Sequence, residues 1–156
     1  MKQLIILLLI STFIFSCTKS DLVKPSNVSA SDNSEALTAK NALALLTAHT
    51  WIYSKYYTSS DGVGTGVLAY KRGRANNSLV LDNNTVKFNA DGTVDEFTND
   101  GTYVPGRWTF TNEAKTSMSV TNSYGTFNSN IKLSATKYIW SDPVVNKTSG
   151  IMVPQP

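Results

Sequence analysis

The 156-residue sequence contains a single cysteine, Cys17, and a single histidine, His49. One cysteine cannot form an internal disulfide. With one histidine, the chain has no Ser-His-Asp or Cys-His arrangement at a credible spacing, and no set of zinc ligands. These scarcities lead us to expect no catalytic residues, no metal site and no cofactor.

Charged residues are also few, with 14 basic and 11 acidic side chains and a formal net charge of +3. So small an excess argues against nucleic-acid binding. Six of the eight acidic residues after residue 50 fall in predicted turns, where a carboxylate is solvated and ionised. A glycosidase needs two carboxyl groups converging across a cleft, one of them desolvated. We therefore expect the chain not to be an enzyme. The acids in predicted turns are Asp61, Asp82, Asp91, Asp100, Glu113 and Asp142.

The chain lacks an apolar run long enough for a transmembrane helix. Leu4–Phe15, "LIILLLISTFIF", has twelve residues and includes two hydroxyls, whereas a spanning helix needs roughly 20 apolar residues. A lysine at position 2 precedes the run. This pattern predicts a secretory signal peptide over residues 1–16.

The segment Ile14-Phe15-Ser16-Cys17 resembles a bacterial lipobox, in which a small residue precedes a cysteine that is diacylated. The alternative is a free thiol in an ordinary signal sequence. The resemblance implies lipid attachment at Cys17, and two or three acyl chains hold a protein firmly on a membrane. Thr18 stands where an aspartate would imply inner-membrane retention, so an outer-membrane anchor is expected, on either face.

The residues after the lipobox divide into a predicted tether and a predicted helix. Residues 17–33 hold the cysteine and a stretch rich in Ser, Asn and Asp, which predicts a flexible tether with a span of roughly 20–25 Å. Residues 34–49 are rich in helix formers and begin with a capping serine and a glutamate. We expect this helix to pack over one end of the following domain.

The pattern over residues 50–156 predicts a series of short strands separated by polar turns, which is typical of an antiparallel barrel or sandwich. The turns are too short for crossover helices, and the length suffices for one core. The predicted strands are Trp51–Tyr57, Val67–Arg72, Thr85–Asn89, Thr93–Thr98, Tyr103–Phe110, Ser117–Thr121, Tyr124–Leu133, Lys137–Trp140 and Val144–Val153.

Four segments, in order, resemble the bacterial lipocalin-like lipoprotein domains: "LLTAHTWIYSKYY", "VKFNADGTV", "GTYVPGRWTF" and "NIKLSATKYIW". The resemblance implies an all-β fold, an up-and-down barrel of about eight strands preceded by one short helix. It also implies a small apolar or amphipathic ligand at the barrel mouth.

Three motifs contain residue types that a ligand site could use. "NADG" at residues 89–92 indicates a hairpin turn, because calcium needs more oxygens and Asp95 and Glu96, as strand neighbours, face opposite sides. "DGVGTG" at residues 61–66 is expected to be a mouth loop, since no helix follows for a phosphate. The basic cluster Lys71, Arg72 and Arg74 is either a protected strand edge or a contact for lipid or lipopolysaccharide phosphates.

An eight-stranded barrel has room for its own side chains or for one small ligand. The many large inward aromatics favour a mostly filled interior with at most a shallow pocket at one mouth. Two functions remain open: a lipid-anchored module for a small ligand, or a ligand-free structural or protein-interaction module. The candidate ligand- or core-lining residues are Trp51, Tyr53, Phe88, Trp108, Phe110, Phe127 and Trp140, and Val86, Phe97, Val104, Met118, Val120, Ile131, Leu133 and Tyr138 are also expected to face inward.

Overall fold

The computed structural model describes residues 41–62, 64–142 and 144–156. The predicted signal peptide, Cys17, the tether and residues 34–40 of the predicted helix lie outside the described residues.

Within the described residues the chain forms one helix followed by strands, which confirms the all-β prediction. The helix, α1, spans Ala42–Thr47. The strands are β1 (Thr50–Thr58), β2 (Val67–Lys71), β3 (Thr85–Phe88), β4 (Thr93–Phe97), β5 (Tyr103–Phe110), β6 (Ser117–Asn122), β7 (Gly125–Leu133), β8 (Tyr138–Asp142) and β9 (Thr148–Pro154).

The strands close into an antiparallel barrel, which is compatible with a lipocalin-like fold. From β3 to β9 each strand pairs with the next, and β9 returns to pair with β1 from Trp51 to Tyr57. The other edge of β1 is divided: its first residues pair with β3, and its last four pair with β2. Among the described strands, eight therefore form the closed ring and β2 lies beside it as an extra strand.

One end of the barrel is closed by α1. Ala42 and Leu46 are fully buried in the core. The indole Nε1 of Trp51 donates to the Leu46 carbonyl at 2.9 Å, and the Lys87 ammonium donates to the Thr47 carbonyl at 2.7 Å. These contacts confirm that the helix packs over one end of the domain. None of the helical structure among the described residues is long and apolar enough to cross a membrane.

The core beside α1 is built from aromatic rings that meet edge to face. Trp51 packs on Tyr138 with ring centroids 5.8 Å apart, and Phe88 contacts both Tyr138 and Trp108. Edge-to-face pairs of this kind stabilise a core beyond the area that they bury. The closed half of the barrel is therefore filled by its own side chains.

The "NADG" segment is the turn between β3 and β4, as predicted. Gly92 has a φ of +83°, and the Asn89 amide donates to the Thr93 carbonyl at 2.9 Å. The Asp91 carboxylate accepts hydrogen bonds from the Thr93 hydroxyl and amide, which lower the pKa of this exposed acid. Asp91 thus holds the turn together.

The basic cluster lies on and just after β2, at the edge of the sheet. The Arg72 guanidinium donates through Nε to the Tyr53 carbonyl at 2.8 Å and through Nη1 to the Asp82 carbonyl at 3.1 Å. Tyr53 stands beside the register shift in β1, between Tyr53 and Lys55. Arg72 therefore supports an irregular part of the sheet.

The last strand begins later than predicted, at Thr148 and not at Val144. The carboxylate of Asp142 accepts hydrogen bonds from the Val145 amide at 3.0 Å and from the Asn146 side-chain amide at 2.7 Å. These bonds hold residues 144–146 in a turn. The prediction of a solvated turn carboxylate is wrong for Asp142, which is only 5% exposed and ends β8.

Replacing Trp51, which joins α1 to the barrel, tests how much the core at the closed end contributes to stability. Trp51→Ala is expected to lower the free energy of unfolding by about 3–5 kcal/mol, because it empties a large core site and removes the hydrogen bond to α1. Denaturant unfolding of the purified protein measures the change. Tyr124→Ala, at an exposed position, is the control and should stay within roughly 0.5 kcal/mol. Equal losses in the two variants would contradict this account of the core.

Candidate functional site

A cavity of about 520 Å³ occupies the half of the barrel opposite α1. α1 contacts β3 and β7, near the end of β3 that holds Lys87. The cavity is lined by residues from the other strand ends, such as Tyr56 late in β1 and Asn122 at the end of β6. Tyr124, in the β6–β7 turn, also lines it and is largely exposed. The cavity therefore opens at this mouth, and its volume lies in the range of small-molecule pockets.

The cavity exists partly because a glycine faces inward on β9. A Cβ atom at Gly150 would lie 2.5 Å from the Trp140 indole Nε1, closer than side-chain packing allows. Glycine at this position lets the Trp140 ring lie directly against the β9 backbone. The ring consequently forms a wall of the cavity and does not have to project further into it.

Aromatic side chains form much of the cavity wall. Tyr56 contacts Tyr53 and Trp140 edge to face, with ring centroids 5.8 and 5.7 Å apart. The irregularity in β1 between Tyr53 and Lys55 changes the alternation, so that Tyr53 and Tyr56 both line the interior although they are three residues apart. The aromatic lining residues are Tyr53, Tyr56, Tyr124, Phe88, Phe127, Tyr138 and Trp140.

Glu96 of β4 brings a carboxyl group into this aromatic cavity. Burial raises the pKa of Glu96. Burial also raises the pKa of Tyr53 well above its usual value, and the nearby charge of Glu96 adds to that rise. Among the described residues that line the cavity, none is Lys, Arg or His. The ionisable side chains of the described lining, apart from its tyrosines, are thus the acids Glu96 and Asp142.

The neighbours of Glu96 on β4 face the outside. Asp95 accepts hydrogen bonds from the Asn89 side chain at 2.8 Å and the Tyr103 hydroxyl at 2.6 Å. Phe97 is 42% exposed and stacks on Tyr103 with ring centroids 5.1 Å apart. Asp95 and Glu96 therefore face opposite sides, as expected. The expectation that Phe97 faces inward is wrong, because Glu96 holds the inward position and adjacent strand residues alternate.

The structure divides the seven candidate lining residues into two groups. Tyr53, Phe88, Phe127 and Trp140 line the cavity. The others lie outside its lining: Trp51 and Trp108 are buried in the core, and Phe110 is half-buried against Trp108 with ring centroids 5.2 Å apart.

Sequence reasoning missed several of the residues that line the cavity, among them Tyr56 and Glu96. Tyr56 was missed because simple alternation from Trp51 and Tyr53 places it outside, and the irregularity in β1 reverses this. Glu96 was missed because the flanking Phe97 is the better candidate for an inward position by hydrophobicity. The hydrogen bond between Asp95 and Tyr103 can be predicted only when the register of β4 against β5 is known.

Among the described residues, no three His, Cys, Asp or Glu side chains come together as a candidate metal site. Comparison of the chain with protein-family models, with curated proteins and with solved structures finds no match. The assignment of function therefore depends on the cavity itself.

The half-buried carboxyl group of Glu96 makes stability depend on pH in a definite direction. Because its pKa is higher in the folded state, this group costs no stability below its unfolded pKa of about 4.3. Stability is lost as the pH rises through the folded-state pKa, because the folded protein must then ionise a partly desolvated acid. Glu96→Gln removes this cost and should be more stable than the original protein at pH 7.

Thermal unfolding of both proteins between pH 3.5 and pH 8 measures the difference. The advantage of Glu96→Gln should narrow toward acidic pH. Glu113→Gln, which changes an exposed turn residue, should show no such trend. A Glu96→Gln advantage that is independent of pH would contradict the assigned burial of this carboxyl group.

Proposed function

We propose that the barrel is a binding module that takes a small amphipathic or apolar ligand through its open mouth. The observation that carries the proposal is the aromatic-walled cavity of about 520 Å³ at the end opposite α1. The ring of strand pairs closes through β1 and β9, so the wall is held by backbone hydrogen bonds and does not depend on side chains filling the cavity. The proposal assigns binding and no catalytic step to the chain.

The lining suits a ligand that is apolar over most of its surface. Val86, Val94, Val120 and Met152 lie among the aromatic rings, and each 100 Å² of apolar surface that a ligand buries stabilises the complex by roughly 2.5 kcal/mol. Polar atoms also reach the cavity from Asn122 and other side chains. A few polar groups in an apolar pocket fix the orientation of a ligand.

We further propose that the domain is held at the outer membrane by acyl chains on Cys17. The support is the signal-like run at residues 4–15 and the lipobox-like segment that ends at Cys17.

A second candidate function, a ligand-free protein-interaction module, is favoured by the apolar side chains around the mouth. Val144 and Val145, in the β8–β9 turn, are 82% and 80% exposed. Val80 and Tyr124 are also strongly exposed and lie together along one surface depression. Exposed apolar groups rimmed by polar residues are common where proteins bind one another.

A substitution that fills the cavity distinguishes the ligand-binding module from the ligand-free interaction module. Ser129 lines the cavity, and its neighbour Asn128 is exposed on β7. Ser129→Phe should weaken binding of the neutral fluorescent probe N-phenyl-1-naphthylamine by roughly tenfold or more, because the new ring occupies the space that a ligand needs. Asn128→Phe, the same change on the other face, should bind the probe like the original protein.

Fluorescence titration measures both affinities, and circular dichroism checks that both variants are folded. Equal probe binding in the two variants would place the probe outside the cavity. No probe binding to the original protein would favour the interaction module.

The proposed anchor has its own test in bacteria that make the full-length chain. Cys17→Ala should abolish incorporation of labelled palmitate and release the protein from the membrane fraction, because the thiol is the acceptor of the first acyl chains. Globomycin should block processing of the original precursor. Unchanged labelling in Cys17→Ala, or processing that is insensitive to globomycin, would contradict lipidation at this residue.

A further inference from the structure

We infer that the ligand of the cavity carries a positively charged amine, which binds beside Glu96 and the rings of Tyr53, Tyr56 and Trp140. This inference rests on the proposed binding function and specifies its chemistry. It is carried by the placement of a single uncommitted acid inside an aromatic cavity that has no basic residue in its described lining.

Glu96 differs from the other acids of the region in having no role in holding the fold. The Asp142 carboxylate also lines the cavity, but it holds the β8–β9 turn through Val145 and Asn146. Asp95 is hydrogen-bonded on the outer face. For Glu96, burial is the one cause that changes its pKa, with no hydrogen bond or charge from the described residues acting against it.

The Glu96 carboxyl group is half-buried and has no hydrogen bond from the described residues, and partial loss of solvent around a carboxylate favours a proton or a cation beside it. A ligand amine would supply the positive charge that the described lining lacks, and it would make a charge-assisted hydrogen bond with Glu96. A ligand carboxylate would instead bring like charges together. A neutral ligand would leave the cost of burying Glu96 in place.

The surrounding rings add to this preference for a cation. The Glu96 charge acts on Tyr53, and Tyr53, Tyr56 and Trp140 contact one another in series. Aromatic faces attract ammonium groups, most strongly where water is excluded. The same wall that accommodates an apolar ligand body can therefore hold a cationic head group next to the carboxylate.

The experiment compares three probes that share one apolar body and differ in their head group: n-octylamine, n-octanol and octanoate. Isothermal titration at pH 7.5 with the purified protein gives each affinity. Octylamine should bind roughly tenfold or more tightly than octanol, since a hydrogen bond to a charged group is among the stronger ones. Octanoate should bind more weakly than octanol.

Glu96→Gln should remove the advantage of octylamine over octanol, whereas Glu113→Gln, outside the cavity lining, should leave that advantage unchanged. In the original protein, the pKa of Glu96 followed by NMR should fall when octylamine is added and stay in place with octanol. The NMR measurement uses only the original protein, so it is informative even if Glu96→Gln fails to fold.

The outcomes distinguish the inference from the function on which it rests. Octanol and octylamine binding with equal affinity, or octanoate binding most tightly, would overturn the inference and leave a ligand-binding barrel. A preference for octylamine that persists in Glu96→Gln would overturn the role of Glu96. Failure of all three probes to bind would overturn both the inference and the proposed function.

Discussion

The pairing of β9 with β1 is the interaction on which the rest of the structure depends. It runs from Trp51 opposite Pro154 to Tyr57 opposite Ser149 and turns an open meander into a ring. Closure removes the edges that an open sheet would expose at these strands. It also fixes an interior of limited volume, because the circumference of a barrel follows from its strand number. Whether the chain can bind a ligand in its interior then depends on how much of that volume its own side chains fill.

The two halves of the interior are filled differently. Beside α1, Trp51, Phe88 and Tyr138 pack edge to face, and Leu46 closes the end. Toward the mouth, Gly150 and Ser129 contribute little volume, and the Trp140 ring lies against the wall. The closed half therefore supplies the stability that lets the other half hold a cavity with a half-buried acid in it, since the cost of a partly desolvated carboxyl group must be offset by packing elsewhere.

Much of this fold follows from local sequence patterns. Alternation over Tyr103–Phe110 and the Asp-Gly turn after Phe88 predicted their elements correctly, because side-chain period and turn chemistry are local properties. The mouth of the barrel could not be predicted in the same way. The irregularity after Tyr53 places Tyr56 inside the barrel. Strand register determines that Glu96, and not Phe97, faces the interior. Both depend on long-range pairing with β9, β3 and β5, which no short window of sequence contains. The cavity volume also depends on the packing of the Trp140 ring against Gly150. This contact joins β8 to β9, so it too depends on strand pairing.

The central claim is that the open half of this barrel is a binding cavity and that the apolar rim is not the binding surface. Intermolecular nuclear Overhauser effects between octanol and the protein test it most directly, because they report which side chains lie beside the ligand. The account predicts contacts from the octanol methyl group to Val94, Val120 and Met152, deep in the lining. Contacts confined to Val144 and Val145 on the rim would contradict it.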